Sequence, residues 1–143
     1  MNTPNKPTTF FFIVVILALV WNLIGLASFA MDVTISPDAL AALPADQRAL
    51  YESTPMWLKV LYGLAVVTGT FGCILLLMKK SLARPILIIS FVAVLVQMIY
   101  SLTMSKALEV YGSAGVIMPL VVLLIAGFLV WYANKAKKAG WLR

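Results

Sequence analysis

The sequence contains no histidine and only one cysteine, Cys73. Zinc centres, histidine acid–base chemistry and disulfide frameworks are therefore nearly excluded. A serine or cysteine nucleophile would need a lysine as its base, and the lysines fall at the edges of the apolar runs. Charge is scarce as well: 11% of residues are charged, against about 25% in soluble domains. The hydrophobic share is 63%. A soluble chain this apolar could not cover its own surface, so the excess must face lipid. Enzyme is the least favoured class, and no cofactor or metal is expected.

What the chain does have is four long apolar stretches within the length of a single domain, residues 1–143. The first, residues 10–31, carries no Asp, Glu, Lys or Arg, and its 22 residues make a helix of about 33 Å. Fourteen of them are Phe, Ile, Leu or Val, each worth about −0.3 to −0.6 kcal/mol at the membrane centre. Asn22, even costed as an Asp at about 3 kcal/mol, does not stop insertion. Ala27-Ser28-Phe29-Ala30 resembles a signal-peptidase site, but the apolar run exceeds the roughly 7–15 residues of a signal core.

Residues 32–55 form the longest polar connection. Ser36-Pro37 reads as an N-cap followed by proline at the first helical position. Leu40, Leu43, Gln47 and Leu50 then recur at helical spacing, with Asp38, Asp46, Arg48 and Glu52 free to face water. The reading is a short amphipathic helix on the membrane surface, with Pro44 as a point of kinking. The second span covers residues 56–78, with Trp57 and Tyr62 at the interfacial belt and Lys59 able to snorkel. Its ridge of Ala65, Gly69 and Cys73, beside Thr68 and Gly72, lets helices approach closely and marks it as the packing centre. After a tight basic turn, Pro85 opens the third span, residues 86–105. The fourth covers residues 114–133, with Pro119 inside it and Trp131 and Tyr132 at its far edge.

Charge sets the expected threading. Lys6, Lys79, Lys80, Arg84, Lys135, Lys137, Lys138 and Arg143 fall on one side of a four-pass chain. Only Arg48, Lys59 and Lys106 fall on the other, together with all five acidic residues, Asp32, Asp38, Asp46, Glu52 and Glu109. The positive-inside rule then places both termini in the cytoplasm. The net charge of +6 is thus a threading signal with scope for anionic-lipid contact, and no nucleic-acid partner is expected. The expected fold is an all-α membrane protein. Four transmembrane helices form an up-down bundle, with a short outer amphipathic helix between helices one and two.

No span holds an interior ionisable residue, which argues against a proton-coupled pump. What the spans hold is a set of uncharged polar groups: Asn22, Thr68, Gln97, Tyr100 and Ser101. Counted from the span ends, Asn22, Thr68 and Gln97 lie at one depth near mid-membrane, and Tyr100 and Ser101 share the face of Gln97. Trp21, the i+1 neighbour of Asn22, is expected to point elsewhere. Aligning Asn22 with Gln97 also sets residues 17–20 beside 92–95, the pattern of a two-helix duplication about the membrane normal. Two readings of the polar set stand side by side. The groups line a pocket for a small polar solute, or they bond across helices at about 0.6 kcal/mol each.

Trp21-Asn22-Leu23-Ile24-Gly25, Leu43-Pro44, Ala49-Leu50-Tyr51-Glu52 with Pro55 and Trp57, Gly72-Cys73 and Val96-Gln97 together resemble a small bacterial membrane family. Glu109-Val110-Tyr111-Gly112, Met118-Pro119 and Gly140-Trp141-Leu142 extend the resemblance over nearly the whole chain. Members of that family often carry the label "sugar transporter". The resemblance implies a passive or facilitative carrier in a bacterial inner membrane, with a pocket drawing on Asn22, Gln97 and Tyr100. The chain does not resemble the three-helix carriers with a Pro-Gln motif, since Leu follows Pro119. Four helices enclose little volume, so a carrier of this size is expected to be a homo-oligomer. The rival expectation is an auxiliary subunit of a larger membrane complex.

Overall fold

The computed structural model describes residues 6–103 and 107–143. Ser105, taken above as the end of the third span, and Lys106 lie outside the described residues. The described elements are all helical: α1 (Thr9–Val33), α2 (Pro37–Ala41), α3 (Ala45–Ser53), α4 (Met56–Leu77), α5 (Ala83–Thr103), α6 (Ala107–Tyr111) and α7 (Ala114–Lys138). Four of them, α1, α4, α5 and α7, are long and apolar enough to cross a membrane.

Local chemistry sets the ends. The Thr8 hydroxyl caps α1 by accepting from the Phe11 N–H at 3.2 Å. At its other end the Thr34 N–H donates to the Ala30 carbonyl. Between the first two long helices the single amphipathic helix expected from the sequence is two short ones. Proline at 44 has no N–H to continue a helix and disfavours the α region at the residue before it, so α2 ends at Ala41 and α3 starts afresh at Ala45. Leu40, Leu43, Gln47 and Leu50 are all half-buried nonetheless. Pro85 does not open its helix: α5 begins two residues earlier, where the first N–H groups have no intrahelical partner to lose.

Three seams hold the long helices, α1 on α4, α4 on α5 and α5 on α7. The middle of this row is α4, whose Gly63, Ala65, Gly69, Gly72 and Cys73 are buried together with Thr70, Leu75 and Leu76. Its small side chains admit Phe29 of α1 over Gly63 and Leu87 of α5 over Gly72. The α5–α7 seam packs Ala93 and Val94 against Val122, Leu123 and Ala126.

Helices α1 and α7 share no such seam along their length. They meet at one end, where the Phe11 ring stacks on Tyr132 at 5.8 Å and takes Trp141 edge-on at 5.4 Å. Both α4 and α7 finish at this end in the same hydrogen-bonded loop. The Lys80 N–H reaches back to the Leu75 carbonyl and the Trp141 N–H to that of Ala136, each across a residue with positive φ, Lys79 (59°) and Gly140 (81°). The chain after α7 then runs beside the α4–α5 turn. The Ser81 N–H and hydroxyl both donate to the Arg143 carbonyl (2.6 and 2.7 Å), and the Arg143 N–H donates to that of Lys79 at 2.8 Å. At the opposite end the Tyr51 hydroxyl bonds the Asp32 carbonyl at 2.5 Å and Lys59 lies 4.5 Å over the Tyr51 ring.

Lys79 occupies the left-handed position that Gly140 fills in the equivalent loop, and a side chain there is strained by about 1 kcal/mol. Lys79→Gly is therefore expected to stabilise the protein by about 1 kcal/mol, read as a shift in the midpoint of detergent-induced unfolding. A destabilised variant would show that the lysine side chain matters more than its backbone.

Candidate functional site

The four long helices enclose a chamber of about 230 Å³. On α1 it is bordered by Trp21, Asn22, Ile24, Gly25 and Ser28, on α4 by Tyr62, Ala65 and Val66, and on α5 by Leu87, Ser90, Val94 and Gln97. The α7 wall runs from Met118 to Leu129 and is entirely apolar. Toward the end that carries Asp32 lies a second space of about 350 Å³, a vestibule bordered by Asp32, Thr54, Lys59 and Ser101. Tyr62, Val94, Gln97, Met118 and Val122 border both, so Gln97 stands at the neck between them.

The polar floor of the chamber is built around Gly69. The Asn22 amide donates to the Ala18 carbonyl one turn back (2.9 Å) and lies 3.6 Å from the Cys73 sulfur on α4. Its carboxamide oxygen sits where a Cβ on Gly69 would stand, and the Ser90 hydroxyl is 3.2 Å from that same point. Glycine is required there because three helices use the space its side chain would fill. The Ser90 hydroxyl completes the junction by donating across helices to the Ala65 carbonyl at 2.7 Å. Among the described residues no buried side-chain nitrogen or oxygen lacks a hydrogen-bond partner.

Of the five polar residues singled out in the sequence, Asn22 and Gln97 border the chamber, and Gln97 and Ser101 the vestibule. Thr68 and Tyr100 border neither. The Thr68 hydroxyl donates to the Leu64 carbonyl of its own helix, at 2.5 Å, and Tyr100 packs edge-on against Trp57 at 5.6 Å.

Asn22 and Gln97 do not share a depth either. Asn22 is level with residues 69–73 of α4, whereas the Gln97 amide reaches the Leu58 carbonyl at 3.5 Å. Gly69 and Leu58 are eleven residues apart on α4, and Ser90 and Gln97 seven apart on α5, a difference in depth of about 10–16 Å. The α5 residue at the depth of Asn22 is Ser90. It lies on the buried stripe of Ala83, Leu87, Ser90 and Val94, which continues at the same spacing to Gln97, and that stripe is the signal that points to it. Trp21 also borders the chamber beside Asn22, because the space is broad enough to touch adjacent faces of α1.

Among the described residues, no group of three or more Cys, Asp or Glu side chains is placed to hold a metal ion. Comparison with protein-family models, with curated proteins and with solved structures finds no match.

Adding a methyl group at Gly69 must push Asn22 aside. Gly69→Ala is expected to cost about 1–3 kcal/mol. In the Gly69→Ala/Asn22→Ala double variant part of that loss is expected to return, a coupling of about 1 kcal/mol measured by unfolding all four combinations. Strict additivity would show that the two residues are not in contact.

Proposed function

We propose that the protein is a facilitative carrier of a small solute in a bacterial inner membrane, with no enzymatic activity. The observation that carries this reading is the position of Gln97, at the neck between a vestibule open at the acidic end and a chamber that reaches Asn22. An auxiliary subunit, the rival, would have both carboxamides bonded within a dry core; here both amides are bonded, Asn22 to Ala18 and Gln97 to Leu58, and both also border a cavity. A sugar is the solute class that the family resemblance implies. The two spaces together reach the range of about 300–1,000 Å³ typical of small-molecule sites.

The threading that goes with this reading is an up-down bundle with both ends of the chain in the cytoplasm. Two sets of contacts support it. Phe11, Tyr132 and Trp141 meet at one end with the α4–α5 turn, and Asp32, Tyr51, Lys59 and Ser101 gather at the other. The first end is rich in Lys and Arg, the second holds the acidic residues, and the positive-inside rule orients the pair. On this reading α2 and α3 rest on the outer membrane surface, with the half-buried leucines inward and Asp38, Asp46 and Glu52 in water.

Uptake of labelled small solutes, sugars among them, into vesicles containing the pure protein tests the carrier. Asn22→Leu and Gln97→Leu are expected to lower the rate by about tenfold, the size of one lost hydrogen-bonding site. Failure to take up any of these solutes, together with co-purification of a stoichiometric partner protein, would sink this reading in favour of the subunit. The threading has a separate check. In a Cys73→Ala background, Asp46→Cys is expected to react with an impermeant thiol reagent from the periplasmic side only, and labelling from the cytoplasmic side would overturn the orientation.

A further inference from the structure

The polar groups of the chamber are few and partly committed. The Ser28 hydroxyl donates to the Ile24 carbonyl at 2.9 Å and that of Ser90 to the Ala65 carbonyl, while the Asn22 NH2 group donates to Ala18 and Cys73. That leaves the Asn22 carboxamide oxygen, Trp21, Tyr62 and Gln97 to meet a guest. No charged side chain borders the chamber, and most of its remaining wall is carbon. Each hydroxyl of a guest left without a partner there would cost about 1–3 kcal/mol. The charged side chains gather instead in the vestibule, where Asp32 and Lys59 border one space with Ser101 and Gln97. The enclosure thus carries charge of both signs at its mouth and none along its largely carbon-walled body.

The enclosure also lacks one wall. Helices α1 and α7 face each other across the chamber without a seam. Ile24 on one side and Met118 on the other both border it, yet are 59% and 55% exposed. At this depth in the bundle, exposure means exposure to acyl chains. The end closed by Phe11, Tyr132 and Trp141 offers no such gap.

We propose that the site takes a single-chain amphiphile with an uncharged polar head. The guest enters sideways from the bilayer between α1 and α7, places its chain in the chamber and holds its head in the vestibule past Gln97. This names the solute class for the same cavity that the carrier reading uses, and it rests on that reading only for the step of transport. The mostly carbon wall of the chamber favours a carbon body inside, and the mixture of Asp32 with Lys59 at the mouth favours a head without net charge.

A monoacylglycerol with a diazirine midway along its chain, in phosphatidylcholine nanodiscs containing the protein, supplies the probe. The expected photoproducts lie in residues 21–28 and 118–129 and are competed away by unlabelled 1-oleoylglycerol but not by glycerol or glucose. Filling the chamber with Ser28→Leu, or narrowing its lipid-facing gap with Ile24→Trp as an independent variant, is expected to reduce that labelling about tenfold without moving the unfolding midpoint. Uncompeted labelling spread over the outward residues Leu17, Val60 and Phe71 would overturn the inference, leaving ordinary bilayer contact. Competition by glucose would overturn it too, while leaving the carrier reading intact. Competed labelling of the chamber without transfer of a fluorescent monoacylglycerol between leaflets would support the inference and remove the carrier.

Discussion

The close approach of three helices at Gly69 is the constraint on which the rest of the bundle depends. In a lipid environment no hydrophobic drive separates helix–helix from helix–lipid contact, so packing must come from backbone proximity and from hydrogen bonds that lipid cannot supply. Both are found at this point. Asn22 of α1 and Ser90 of α5 converge on a residue with no side chain, and Ser90 bonds the Ala65 carbonyl one turn away. With α4 held from both sides, α1 and α5 are fixed relative to each other without touching through large side chains. The chamber exists because these small groups leave room beside them.

The bundle is correspondingly uneven from end to end. Around Gly69 and toward the basic end it is filled: Phe11, Val15, Cys73, Leu76, Leu87, Leu129 and Tyr132 form one cluster of buried side chains. Toward the acidic end the packing thins, and among the described residues a small group of Ala65, Ala93 and Val94 is buried. The cause lies in the helix faces. Near its start α1 turns Phe11, Val15 and Ala18 inward, but farther along Leu23, Ile24 and Met31 are exposed, so nothing large closes the gap to α7.

Much of this was legible from residue types alone, and the exceptions have a common origin. The four long helices begin and end within a few residues of the apolar runs, because hydropathy and helix length obey the same local rule. The burial of α4 followed from its glycine and alanine ridge. Relative depth was not legible. Counting inward from span ends put Asn22 level with Gln97, as though the helices stood flush. The register is instead set by which side chain finds Gly69, and α5 presents Ser90 there. A pairwise contact of this kind leaves no trace in the composition of either helix. The break at Pro44 was visible as a kink but not as two helices, since it depends also on proline disfavouring the α region at the residue before it.

For a carrier, the same unevenness specifies where movement has to occur. The chamber communicates with one end, so release at the other requires the contact between α1 and α7 at Phe11 to part. That contact consists of a few ring pairs, worth about 0.5–1.5 kcal/mol each beyond their burial. The hydrogen bonds between residues 79–81 and Arg143 add about 0.5–1.5 kcal/mol apiece. The Gly69 junction, by contrast, couples three helices through buried polar groups that cannot be exposed to lipid one at a time. A hinge at the junction with a latch at the basic end is therefore the arrangement of least cost. In it Asn22 and Ser90 keep their partners throughout while Phe11, Tyr132 and Trp141 change theirs.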